Sequence, residues 1–193
     1  MINEELWAER QYAVLAGFVH HLAYYRVLSK HYGEASKKSE FWTNTIDAHI
    51  LRAIIDWCMV FGTDSNEIHW KRVVPDEAEQ LSFREHLLEN AGMSESQWAS
   101  YWQSMSDFRN EYAAHKTAQG DYPPVPMMDL ALQVAFAYDD WFRNTVQASF
   151  DEPSLRDRYS RVVRTSEEPL SRAVTQGPWL NEEYEGHPPH TEQ

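Results

Sequence analysis

One short run in this 193-residue chain combines side chains that could do chemistry on a phosphodiester: Arg109, Asn110 and, five positions on, His115. Histidine is the side chain whose ordinary pKa lies near working pH, so His115 could take and return a proton. Arginine presents a planar fork of donors that matches phosphate oxygens, and this is the chemistry Arg109 offers. Asn110 could orient either the phosphate or the imidazole. Glu111, four residues before His115, is within reach on a helix and would favour the charged imidazole.

A helix must position these groups. Ser94 reads as an N-cap and Gln97 completes a capping box, so a helix is expected from Ser94 to about Ala118, before Gly120. Its apolar stripe is Tyr101, Met105, Phe108, Tyr112 and His115. Six residues of regular helix rotate by about 600°, which sets Arg109 and His115 about 120° apart. The long Arg109 could sweep across Ala113 and Ala114 to close that angle. The plainer alternative makes His115 a core-edge residue bonded to a backbone carbonyl and Arg109 a surface partner for a glutamate.

Four more helices are expected. Asn3 to Tyr32 carries Trp7, Val14, Phe18, Leu22, Tyr25 and Tyr32 on one side and stops at Gly33. About Ser39 to Phe61 buries Trp42, Ile46, Ile50, Ala53, Ile54, Trp57 and Phe61 and ends at Gly62. An irregular stretch, Thr63 to Val74, precedes a helix opened by Pro75 that runs to about Asn90, with Leu81, Leu87 and Leu88 inward. After the Pro-rich turn at Asp121 to Pro126, a helix is expected to about Phe150, with Leu130, Val134, Ala137, Tyr138, Trp141 and Val146 inward. The sequence therefore divides into a helical domain, 1–150, and an extension, 151–193. That extension holds a short helix near Leu155 to Arg164 and a tail that is disordered beyond Gly177 unless it docks.

On Arg109, Asn110 and His115, set late in a small α bundle, the chain resembles the HEPN superfamily, and in particular its abortive-infection-type branch. The likeness runs over roughly Glu4 to Phe150 and includes the two-helix start, the aromatic turn near Trp57 to Gly62 and the closing helix after the Pro-rich loop. It implies an all-α, HEPN-like bundle of about five helices. It also implies a homodimeric, metal-independent endoribonuclease with a toxin or phage-defence role, acting on RNA and met by an antitoxin or other protein partner; two copies of the motif would line one cleft across the two-fold, the preferred way to bring Arg109 and His115 together. Arg109, Asn110 and His115 would be catalytic, with Glu111, Tyr112, His49 and Arg52 in support. The competing reading is a catalytically inactive helical module that binds a protein or a nucleotide.

The remaining composition sets bounds. A formal net charge of −13 disfavours generic binding to polyanions and membrane surfaces, though not a small local cationic site. Cys58 is the only cysteine, so no intrachain disulfide can form, and its apolar neighbours read as core. The N-terminus shows no secretory signal and no apolar run reaches membrane-span length, so a cytoplasmic protein is expected. No His-Glu-x-x-His, paired cysteines or EF-hand loop is present, so neither a metal nor another cofactor is expected. His20 and His21 point about 100° apart on a helix and cannot chelate one ion. The polar row Thr45, His49, Arg52 and Asp56 reads as a solvated face in which Arg52 and Asp56 pair, unless it turns toward the fourth helix and widens an RNA cleft. Glu67 and His69 suit turn capping, and Arg156, Arg158, Arg161 and Arg164 a solvated basic cluster.

Overall fold

The computed structural model describes residues 4–35, 38–74, 76–114, 124–145, 150–176 and 188–192, without the side chains of 4, 8 and 112–114. The described residues are all-helical: seven helices and one isolated bridge, Val125 to Glu192. Helix α1 is continuous through Glu4–Leu6, a π-helical stretch Trp7–Gln11 and Tyr12–Glu34. Then come α2 (Glu40–Phe61), the single turn α3 (Trp70–Val73) and α4 (Glu77–Ala91). They are followed by α5 (Glu95–Phe108, passing into a π-helical stretch Arg109–Ala114), α6 (Met128–Thr145) and α7 (Leu155–Gln176). The count is seven where about five were expected; the additions are α3 and the full length of α7.

Helix α1 is the centre of the bundle because it is apolar on more than one side. Leu15, Phe18, Val19, Leu22 and Leu28 are buried, and α1 packs against α2 on one flank and α7 on the other. Helix α2 buries every residue its spacing assigns inward, Trp42 through Phe61. Trp7 stacks on Phe142 at 4.4 Å between ring centroids and meets Tyr138 edge-on at 5.0 Å, tying α1 to α6. The π turn in α1 has a packing cause. It delivers the fully buried Gln11, whose amide donates to the carbonyls of Ile68 and His69 at 3.0 Å each and accepts from the Tyr138 hydroxyl at 2.7 Å. One side chain thereby anchors the irregular stretch before α3.

Three expectations need correction. Leu81 is 55% exposed, and the inward residue of that turn is Phe83, at 1%. Asp76 caps α4, accepting from the backbone N–H groups of Ala78 and Glu79, so the first turn begins at Glu77 and not at Pro75, which lies outside the described residues. Helix α7 runs twelve residues past Arg164 to Gln176, because Leu155, Tyr159, Val162, Ser166, Leu170 and Val174 continue one stripe against the body. Residues 177–187 lie outside the described part, but 188–192 are docked. Glu192 accepts from Arg26 at 3.1 and 3.2 Å and from the Met128 N–H at 3.0 Å, while His190 donates its backbone N–H to Asp47. No described helix is long and apolar enough to cross a membrane.

Candidate functional site

The α5 segment carrying the motif starts from the expected capping box: the Ser94 hydroxyl accepts from the Gln97 N–H and the Gln97 side chain accepts from the Ser94 N–H. Tyr101, Met105 and Phe108 are buried as the stripe requires. At Arg109 the helix widens into π geometry and stays so through Ala114. Arg109 is half-buried, and its Nε and Nη2 donate to the Asn110 side-chain oxygen at 3.1 and 2.8 Å. Asn110 and Glu111 are exposed. His115 and the Tyr112 side chain lie outside the described residues, as does Val146.

The motif segment packs on α2 near Cys58. The Cys58 thiol sits 3.8 Å from the Met105 carbonyl, and burial pushes its pKa up to about 12 even though the Arg109 charge acts to lower it. The thiol is neutral and serves as core. His49 and Arg52 point elsewhere: on α2 they sit about 180° and 120° around from Cys58. The structure brings His49 to His21 of α1 and pairs Arg52 with Asp56 of its own helix, away from Arg109 and Asn110.

The row is only partly solvated: Arg52 is exposed, whereas Thr45 and His49 are half-buried and Asp56 is sealed. Asp56 is 1% exposed, with Oδ1 2.9 Å from Arg52 Nε. Its other oxygen lies over Gly17, where an added Cβ would approach to 2.8 Å. Burial raises the Asp56 pKa against the opposing pull of Arg52. His49 Nδ1 is 2.8 Å from His21 Nδ1, so one ring donates and the other accepts. Burial and the neighbouring His21 lower His49 to about 4, and burial also lowers His21, so both rings are neutral at pH 7. The sequence signal for this cluster was Gly17 inside a helix, a position that costs about 1 kcal/mol relative to Ala unless something must approach closely.

A cavity of about 370 Å³ opens between α4 and α5. Its walls are Phe61, Trp70, Phe83, Trp98 and Trp102, with Asp64, His69, Lys71, Arg84 and Glu95 among its polar groups. Trp102 Nε1 donates to the carbonyls of Phe61 and Gly62 at 2.9 and 3.2 Å, and Asn66 donates to the Cys58 carbonyl. His69 caps α3 by accepting from the Lys71 N–H, and burial lowers its pKa to about 4. Capping was the expected role for His69, though the residue is buried and not on the surface. Glu67 is exposed. The signal for this cleft was Trp98 and Trp102, one turn apart on α5 at the edge of the stripe of Tyr101, Met105 and Phe108.

The arginine cluster on α7 is partly engaged. Arg158 bonds the Tyr12 hydroxyl and Glu152, and Arg156 lies over the Phe136 ring at 4.5 Å. Arg161 and Arg164 are exposed. Among the described residues, no three His, Cys, Asp or Glu side chains converge as a metal ion would require.

Compared with models of protein families, with curated proteins and with solved structures, the chain matches none of them.

Proposed function

We propose that the chain is a metal-independent endoribonuclease of HEPN type that uses Arg109, Asn110 and His115 as a dimer. The observation that carries the reading is the π-helical widening that begins at Arg109 and runs through Asn110 to Ala114. Such turns are rare and concentrate at functional sites. Here the widening coincides with an arginine whose guanidinium is held by its neighbour's amide at the protein surface, ready to meet a phosphate. The other π turn, at Trp7–Gln11, has a packing explanation in Gln11.

In this reading His115 removes the proton from a ribose 2′-hydroxyl. The 2′-oxygen attacks the adjacent phosphorus and the bond to the 5′-oxygen breaks. His115 of the second copy protonates that leaving oxygen. Arg109 stabilises the added negative charge on the phosphoryl oxygens, which is worth most in a site screened from water. Asn110 positions the guanidinium. A shared cleft removes the angular conflict between positions 109 and 115 on one helix. His49 is engaged with His21 of α1 and Arg52 with Asp56 of its own helix, so neither is assigned a part in the chemistry.

The test uses a single-stranded RNA and its all-2′-deoxy counterpart in the presence of a chelator. Cleavage of the first alone, with termini bearing 2′,3′-cyclic phosphate, supports the reading. Equal cleavage of both removes the 2′-hydroxyl, and with it the proposed role of the imidazole. Arg109→Ala should lower cleavage by about 100-fold, the usual scale for losing one charge-stabilising donor.

The net charge of −13 favours the second reading, a helical interaction module acting through protein contacts, since RNA affinity draws on phosphate neutralisation. A monomer in solution without cleavage is the outcome that would select it.

A further inference from the structure

The cleft between α4 and α5 is separate from the Arg109 motif and has a composition of its own. Its walls are aromatic, with Trp98 and Trp102 each partly exposed and four residues apart on α5. Aromatic faces of this kind stack on flat ring systems, and nucleobases are the flat rings that proteins most often hold this way. The charges around it decide which ring fits. Asp64 is held by Lys71 at 2.6 Å and faces His69 Nε2 at 3.5 Å, and Lys71 holds its carboxyl below the ordinary range. Those groups are committed to one another. Arg84 on α4 and Glu95 in the first turn of α5 remain, both exposed and of opposite sign.

The cleft therefore has no surplus charge, and the ring it suits is neutral, with donors on one edge and acceptors on another. Among the bases, guanine places two N–H groups side by side, a match for a carboxylate. It also carries the N7 and O6 acceptors that a guanidinium reads. We infer that this cleft is a guanine-binding subsite, in which Trp98 and Trp102 stack on the base, Glu95 accepts from its N–H edge and Arg84 donates to N7 and O6.

The placement connects the cleft to the motif. From Trp98 to Trp102 the helix turns about 40° beyond one revolution, and from Trp102 to Arg109 about 20° short of two. All three residues share one side of α5, and Arg109 lies about 10 Å farther along the axis from Trp102. A base seated in the cleft leaves the adjoining strand free to run toward Arg109. The link to cleavage rests on the ribonuclease reading; binding of the base does not.

The experiment titrates the full chain with guanosine, adenosine, cytidine and uridine, following the indole N–H signals of Trp98 and Trp102 by NMR. Guanosine should shift both signals, with the other three weaker by about tenfold or more, the discrimination expected of a well-placed bidentate contact. Ala99→Trp fills the cleft from an exposed helical position and should abolish the shifts with the melting temperature unchanged. Glu95→Gln should remove the preference for guanosine. The proposal is overturned if no nucleoside moves these signals, if all four bind alike, or if Ala99→Trp leaves binding intact in a folded protein. Guanosine monophosphate and an uncleavable guanine-containing oligonucleotide separate the two sources of the base. Tighter binding of the oligonucleotide, lost in Arg109→Ala, assigns the subsite to a strand, and equal binding assigns it to a free nucleotide. No arm reads cleavage, so an inactive protein that binds guanosine would refute the ribonuclease reading alone, and an active one that does not would refute this one alone.

Discussion

Replacing His69 by Asn should uncouple part of the protein's stability from acid. His69 is 2% exposed, accepts the Lys71 N–H on Nδ1, and directs Nε2 at the Gly62 carbonyl and Asp64. Protonation would place a hydrogen on Nδ1 against the Lys71 N–H and break the cap. Burial is the largest cause, and with the charges of Lys71 and Arg72 it brings the pKa down from 6.5 to about 4 against the opposing pull of Asp64 and the Gly62 carbonyl. That displacement corresponds to at most about 3 kcal/mol, and about 2 is realistic because the short α3 can open locally and hydrate the ring. The sign follows from proton counting. Between pH 6.5 and 4 the unfolded chain binds a proton that the folded chain refuses, so stability is full above 6.5 and is lost as the pH falls toward 4. His49 titrates in the same direction and window, so the wild type alone cannot isolate His69. His69→Asn can: asparagine keeps the cap and does not titrate. Urea unfolding at closely spaced pH values should show the wild-type advantage over His69→Asn shrinking by about 2 kcal/mol between pH 7 and 4.5. A difference that stays constant, or an NMR titration of His69 with an ordinary midpoint near 6.5, would refute the reasoning.

Two further pairs of measurements probe how the elements are held. Gly17→Ala should destabilise by about 1–2 kcal/mol in urea, the intrusion on Asp56 outweighing the helix-propensity gain, whereas Gly33→Ala, which meets nothing within 4 Å, should gain up to about 1 kcal/mol. Equal effects at the two glycines would mean that Asp56 does not lie against Gly17. Glu192→Ala should cost about 1–2 kcal/mol and speed amide exchange at Met128, while Arg26 keeps Asp129 and Tyr159. Unchanged exchange at Met128 would contradict the docking of 188–192.

The sequence made the bundle legible wherever periodicity and caps agreed. Helix α2, with every inward residue placed, and the Ser94–Gln97 capping box are the best instances, because both depend on local chemistry alone. Leu81 misled because hydrophobicity at one position does not fix orientation; Phe83 offers more area to bury, and α4 turns that side to Trp70 and Trp141. Helix α7 was cut short because Pro169 and a run of charges weaken its pattern, yet its sparse stripe has α1 to pack on. The polar row was misjudged for a related reason: spacing shows that His49, Arg52 and Asp56 share a face, but not that His21 and Gly17 wait opposite. Neither the Arg109–Asn110 pairing nor the π widening was read from the sequence, which offered Arg109 a glutamate and Asn110 a phosphate or the imidazole; nothing in the residue types from Arg109 to Ala114 forbids an ordinary helix. The aromatic cleft depends on α4, α5 and the loop anchored by Gln11, three segments whose meeting no single stretch records.

If His115 and Arg109 together break an RNA backbone, removing the imidazole must stop cleavage. Wild-type protein and His115→Ala, both shown to be folded and of equal oligomeric state, should be incubated side by side with single-stranded RNA in excess chelator. Cleavage by the wild type and none by His115→Ala is the expected result. Cleavage at the same rate by both, or by neither, contradicts it.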